Sequence, residues 1–292
     1  MRYIIALMAL LLGIFLMAYA GAQMADAQQV YREGSLAYDN LRERVKGNAK
    51  DGQDAKEGQK DQKDQSEKEN APSGGGAQGA AAGETPGFPG TAADNTPQIP
   101  RIYVPELDID FGKLKQINKD TAAWLYSPGT EIDYPVMRAD DYDYYLRHLP
   151  DGTWNLNGSL FIDYNSAPDF SGPLTIIYGH HMKYQNMMFG SLKGYKDQNY
   201  YDAHPYMYLY TEQKNYRIDL LYGCVVSAGK WREQAFMFGE NLDALLSYAA
   251  RNTTFGSAAA YREGDRIIAL STCSYEFDDA RYVVLGILRE AR

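Results

Sequence analysis

Apolar and polar positions divide the chain into three regimes. Up to residue 25 the apolar run is continuous: "MRYIIALMALLLGIFLMAYAGAQMA" has no charged residue between Arg2 and Asp26. About twenty apolar residues cross a bilayer core as a helix, so residues 1–25 predict a membrane-spanning helix. Over 26–45 the apolar residues Val30, Leu36, Leu41 and Val45 recur at loosely helical intervals, which predicts a short helical stalk. Over 46–98 large apolar side chains almost vanish from a mixture of both charge signs with Gly, Ala and Pro. Such a stretch cannot bury enough surface to offset the entropy of ordering, so it predicts a disordered linker acting as a spacer.

From residue 99 to 292 the pattern is that of one globular domain. Short apolar runs alternate with turn residues: "RIYVPEL", "IDYPVM", "GSLFIDY", "PLTIIYG", "YMYLYTE", "NYRIDLLYGCVVSAG", "RIIALSTC" and "RYVVLGIL". Their length and their β-branched and aromatic content predict strands. Helical patterns are fewer: "DTAAWLY", "ADDYDYYLRHL", "MMFGSLKGY" and, most clearly, "NLDALLSYAARN". Many strands with few helices predict a mainly β fold, a barrel or sandwich with helices on its surface.

Composition narrows the function. The formal net charge of -9 argues against a nucleic-acid binder, which needs a basic face. The 25 tyrosines suit a β-rich domain. The two cysteines, Cys224 and Cys273, form neither a disulfide framework nor a zinc pattern. At the N-terminus, Arg2 and the free amine favour the cytoplasmic side. Small-residue steps at Ala18–Ala20 and Ala20–Ala22 also fit signal-peptide cleavage, although the length of the run favours a retained anchor. Either reading sends the remainder outside the cell.

Candidate chemistry gathers near the C-terminus, in "DRIIALSTCSYEFDDARYVVLGIL". Two strands joined by a short loop predict a hairpin, which brings Cys273 and Arg281 together at one rim of the sheet. A guanidinium favours the thiolate and can hold a developing oxyanion. A nucleophilic cysteine also needs a base. Of the four histidines, His148, His180, His181 and His204, the pair at the end of "PLTIIYGHH" occupies another rim position. Spacing alone leaves a buried structural cysteine and hydrogen-bonding surface histidines as the default reading.

The blocks "LSTC", "SYEFDDARYVV" and "IIYGHHM…MFGSL", with "INKDTAAWLYSPGTEIDYPVM", "DYDYYLRHL", "NGSLFIDY" and "HPYMYLYT" upstream, resemble the class B sortases over nearly all of the chain beyond residue 100. The resemblance implies a closed eight-stranded β-barrel with added helices, in a membrane-tethered cysteine transpeptidase of Gram-positive bacteria. It implies Cys273 as nucleophile, His180 as acid/base and Arg281 as carbonyl and oxyanion ligand. Substrates would be surface proteins with a C-terminal sorting motif of the NPxT type. The acceptor would be an amine of a cell-wall precursor or a pilin. Neither cofactor nor metal is implied. Ala269 departs from the Thr usual before "LSTC", at a strand position away from the scissile bond.

Around these three residues, Ser271 and Thr272 are expected to touch substrate, and Cys224 to be core. Glu276, Asp278 and Asp279 are read as loop solvation, with a resting pair to Arg281 as the sharper alternative. Trp154 and Tyr164 are candidates for a groove wall. Two further functions use the same residues or fold: a cysteine hydrolase in which water replaces the amine, and a non-catalytic surface binding module.

Overall fold

The computed structural model describes residues 2–47, 102–182 and 186–291. Eight strands form the frame: β1 (Thr121–Tyr126), β2 (Asp133–Arg138), β3 (Leu160–Ile162), β4 (Leu174–Tyr178), β5 (Tyr206–Tyr210), β6 (Asn215–Ser227), β7 (Ile267–Cys273) and β8 (Ala280–Glu290). They close into a barrel in the order β1-β2-β3-β4-β7-β8-β6-β5. The β2–β3 and β4–β7 pairs are parallel and the other pairs antiparallel. Closure removes the exposed sheet edges that would otherwise template aggregation.

The helices are α1 (Arg2–Val45), α2 (Phe111–Ile117), α3 (Gln198–Ala203), α4 (Ala228–Trp231), α5 (Gln234–Met237) and α6 (Leu242–Arg251). Two apolar clusters hold them to the barrel. Along β7, Ile268 and Leu270 join one cluster while Ile267 and Ala269 join the other. β8 divides in the same way, Val284 and Leu288 against Val283, Leu285 and Ile287. Strands buried on both faces read as unbroken apolar runs rather than alternating ones, which accounts for "RIIAL" and "YVVLGIL". The second cluster is covered by Trp231, Phe236, Leu242, Leu245 and Leu246 from α4, α5 and α6.

Two local expectations change. "DTAAWLY" is strand β1, not a helix; its alanines favour helix, but Ala123, Trp124 and Leu125 are buried between β2 and β5, and packing overrides propensity. "RIYVPEL" forms no strand: from Ile102 on it joins no ladder. Pro105 has no N–H to give a ladder, and its carbonyl instead accepts from the Tyr210 hydroxyl at 2.9 Å. Of the stretches expected to be helical, "ADDYDYYLRHL" and "MMFGSLKGY" supply only 3₁₀ turns, at Tyr144–Leu146 and Gly190–Lys196, while "NLDALLSYAARN" is α6.

The membrane-length run and the stalk form one uninterrupted helix, α1. Its N-terminal part is long and apolar enough to cross a membrane, and the large side chains from Leu10 to Met17 are exposed. Its C-terminal part docks on the barrel. Tyr38, Leu41 and Val45 are buried in the first cluster, whereas Leu36 of the expected stripe faces solvent. Lys46 continues the docking, with Nζ 2.6 Å from the Asp133 carboxylate. The predicted linker beyond Gly47, residues 48–98, lies outside the described residues.

Candidate active site

Register places the candidate residues. In the antiparallel β7–β8 pair, Cys273 stands opposite Arg281. In the parallel β4–β7 pair, Tyr178 stands opposite Ser271, so two steps further His180 comes level with Cys273. His180 thus follows the end of β4 on the rim where Cys273 and Arg281 stand opposite each other. The seam between β4 and β7 continues past the ladder: Gly179 N–H donates to Ser271 O at 3.2 Å, and the Thr272 hydroxyl donates to Gly179 O at 2.7 Å. A side chain at Gly179 has no room, because a Cβ there would collide with Leu160 Cδ2 and lie 2.7 Å from Phe189 Cδ2. That close approach explains the glycine before His180.

All three side chains line one cleft of about 470 Å³, together with Ser271 and Thr272. Its walls are largely aromatic, with Tyr142, Phe161, Tyr164, Tyr178, Trp231 and Phe238 among them. Tyr164 is thus part of the groove, and Trp154 is not. Ser271 Oγ is buried and has no hydrogen-bond partner among the described residues, whereas the Thr272 hydroxyl is committed to the strand seam.

The two adjacent histidines do different things. His180 is partly buried, and its Nε2 lies 2.6 Å from Leu146 O. A carbonyl only accepts, so Nε2 carries the proton and Nδ1 is left to exchange one. Burial pushes the His180 pKa down, with Arg147 acting the same way and the Leu146 hydrogen bond acting against them. His181 does not line the cleft; its Nδ1 donates to the Cys273 carbonyl at 2.8 Å and so braces the end of β7.

Arg281 Nη1 donates to Ala280 O at 3.1 Å and makes no ion pair among the described residues. Of the loop acids, Glu276 turns to Lys196 and to the Ser274 hydroxyl. Burial would raise Glu276, but those two partners outweigh it and hold its carboxyl below the usual range. Cys273 is partly buried at the strand end, while Cys224 is fully buried on β6, where loss of solvent pushes its thiol up to about 12.

Several contributors have no signature in the sequence. Leu146 acts through its backbone carbonyl. Tyr178 donates to the buried Asp163 at 2.9 Å, and Lys196 reaches the β7–β8 loop from 78 positions away. Only the fold brings these together; the one hint in the sequence is the density of tyrosine in "DDYDYYL" and "FIDYN".

No family model matches the chain. Sortase B of Listeria monocytogenes is 33% identical over 186 residues, covering 63% of this chain and 75% of that protein. The structure of a Staphylococcus aureus sortase B–substrate complex aligns with a TM-score of 0.57 at 26% identity, covering 63% of this chain and 86% of the solved one. A sortase B complexed with triglycine aligns with a TM-score of 0.56 at 26% identity, over 63% and 86% of the two chains.

Proposed function

The chain belongs to the sortase B family of cysteine transpeptidases, and from that premise we propose that Cys273, His180 and Arg281 carry the reaction. The observation behind this assignment is that all three line one cleft, Cys273 opposite Arg281 at the β7–β8 rim and His180 two residues beyond the end of β4.

In the proposed mechanism the Cys273 thiolate attacks a backbone carbonyl of the sorting motif, forming a C–S bond and a tetrahedral oxyanion. The Arg281 guanidinium, which makes no ion pair among the described residues, donates to that oxyanion. Collapse breaks the C–N bond, and the leaving amine takes a proton from Nδ1 of the His180 imidazolium. The now neutral Nδ1 then accepts a proton from an incoming amine as it attacks the thioester. The thiolate leaves, an amide remains, and the imidazolium–thiolate pair is restored.

The proposed substrates are surface proteins with a C-terminal motif of the NPxT type. The proposed acceptor is a cell-wall precursor or pilin amine, a reading supported by the sortase B solved with triglycine. The apolar part of α1 serves as the anchor, with the N-terminus in the cytoplasm and the barrel outside.

The test uses the full chain in detergent, offered sorting-motif peptides with and without triglycine, with products identified by mass. Cysteine-dependent cleavage and an amine-linked product are expected. Cleavage that yields only free carboxylate in the presence of triglycine would make the enzyme a hydrolase. Absence of both cleavage and an acyl-enzyme mass across the panel would overturn the assignment in favour of a binding module.

A further inference from the structure

The docked half of α1 is held along its whole length. The Asn155 side-chain amide donates to Val30 O at 2.9 Å, and the Asn157 amide donates to Tyr31 O at 3.1 Å. The Tyr38 hydroxyl donates to Gly158 O at 2.6 Å, and Arg42 Nη1 to Asp133 O at 3.0 Å. Gly34 permits this approach, since a Cβ there would collide with Asn157 Nδ2 and lie 2.5 Å from Asn155 Oδ1. Beyond the helix, Gly47 N–H donates to Asp108 O at 3.0 Å and Asp110 N–H to Val45 O at 2.8 Å. The chain therefore leaves the barrel and rejoins it at one place. Both ends of the 48–100 segment are tied to the barrel, so α1, and not that segment, fixes how far the barrel stands from a membrane.

That distance is short. The uncharged run ends at Ala25 and docking begins at Val30, five residues on, which is about 7.5 Å of helix. The headgroup layer on each side of a bilayer core is of similar thickness. Beside Val30 and Tyr31, the barrel presents Trp154, next in sequence to Asn155 and paired with His148, two residues from the Leu146 carbonyl that holds His180; the β7–β8 loop lies on the same rim. Tyr275 of that loop stands against His181, ring centroids 5.1 Å apart, and His181 pairs with Met188, whose neighbour Met187 has its sulfur 3.8 Å from the Asn157 amide that holds Tyr31 O. Exposure is 53% at Trp154, 56% at Tyr275 and 49% at Phe277. The other two tryptophans, Trp124 and Trp231, are buried. Tryptophan and tyrosine favour the membrane–water interface, where one end of the ring is apolar and the other wet.

We propose that the rim bearing Cys273 rests on the bilayer surface, with Trp154, Tyr275 and Phe277 seated among the lipid headgroups. The inference rests on the anchor reading above and adds an orientation to it. The nucleophile opens beside the membrane, at a height set by a rigid helix.

The test uses the full chain in phosphatidylcholine vesicles whose acyl chains are brominated near the headgroup end. Flotation with the vesicles reports the anchor, and bromine quenching of tryptophan emission reports the rim. Flotation with quenching that is lost in Trp154→Phe is the expected result. Gly34→Leu, which forces the helix off Asn155 and Asn157, is expected to float and to lose the quenching. Flotation without quenching would overturn the orientation and leave the anchor intact, as would quenching that persists in either variant. Failure to float would remove the anchor and the orientation together. Protection of Trp154 from aqueous iodide that rises with protein density, without bromine quenching, would assign the patch to a second copy and also overturn the proposal.

Discussion

The β7–β8 hairpin and the docked half of α1 approach the same end of the barrel, yet different parts of the sequence specify them. The hairpin is local. Cys273 and Arg281 are neighbours because a short loop, Ser274–Asp279, lets two apolar strands fold back in register. The α1 dock is remote: the Tyr38 hydroxyl meets Gly158 from 120 positions away, and Asn155 reaches Val30 from 125. The hairpin carries a thiol and a guanidinium at a partly buried edge. The dock carries a tyrosine, two aliphatic side chains and a glycine pressed against two asparagines. Chemistry and placement have thus been assigned to separate regions, and perturbing each should move a different observable.

The sharpest separation comes from Cys273→Ala. Turnover of sorting-motif peptide is expected to fall to background, at least about a thousandfold. Stability should change by no more than about 1 kcal/mol, because the thiol is only partly buried at a strand end and is small. Peptide turnover followed beside thermal unfolding checks both halves. A large fall in the melting temperature would mean that the rim is also a structural keystone, and the contrast between regions would collapse.

Removing the dock should do the reverse. A chain starting at residue 99 lacks Tyr38, Leu41 and Val45, all buried in the first core cluster. Each large core side chain is worth about 2–5 kcal/mol when truncated. Urea unfolding of that chain against one starting at residue 28 should show a loss of several kcal/mol. Equal midpoints would reduce the dock to a surface contact. Within the hairpin, Arg281→Lys is expected to lower kcat/KM roughly a hundredfold or more with unchanged unfolding, since an ammonium does not reproduce a planar fork of donors. Near-normal turnover would take Arg281 out of the oxyanion site.

The same contrast explains what the sequence disclosed. The closing hairpin was legible because its apolar runs, loop length and reactive residues lie within one short stretch. Seven of the eight strands were legible for the same reason. β1 was not, because alanine-rich "DTAAWLY" becomes a strand only through burial between β2 and β5. The choice between His180 and His181 could not be made from spacing. What favours His180 in the proposed mechanism is Gly179 packing against Leu160 and Phe189, and the Leu146 carbonyl across the cleft. The α1 face was misread for a related reason. Gly34 and Tyr38 look unremarkable in a polar stretch, and only Asn155, Asn157 and Gly158 give them their role.

Acidity offers the smallest and most selective test of the division. The rim contains two histidines whose pKa values lie below the ordinary value of about 6.5, both lowered chiefly by burial. The dock contains none, since the first histidine in the chain is His148. As pH falls through about 6.5, the unfolded chain takes up protons that native His180 and His181 resist. Their contribution to stability is therefore complete above that pH, declines as pH falls towards their lowered native values, and levels off below them. Between pH 7 and pH 5 the melting temperature should therefore fall. His180→Gln, whose amide can still donate to Leu146 O, should flatten part of that drop while leaving the urea stability conferred by α1 intact. An unchanged slope in the variant would mean that His180 is no less easily protonated in the native enzyme than in the unfolded chain. The imidazolium that is to protonate the leaving amine would then be the ordinary resting form near pH 6, not one that requires the Cys273 thiolate beside it.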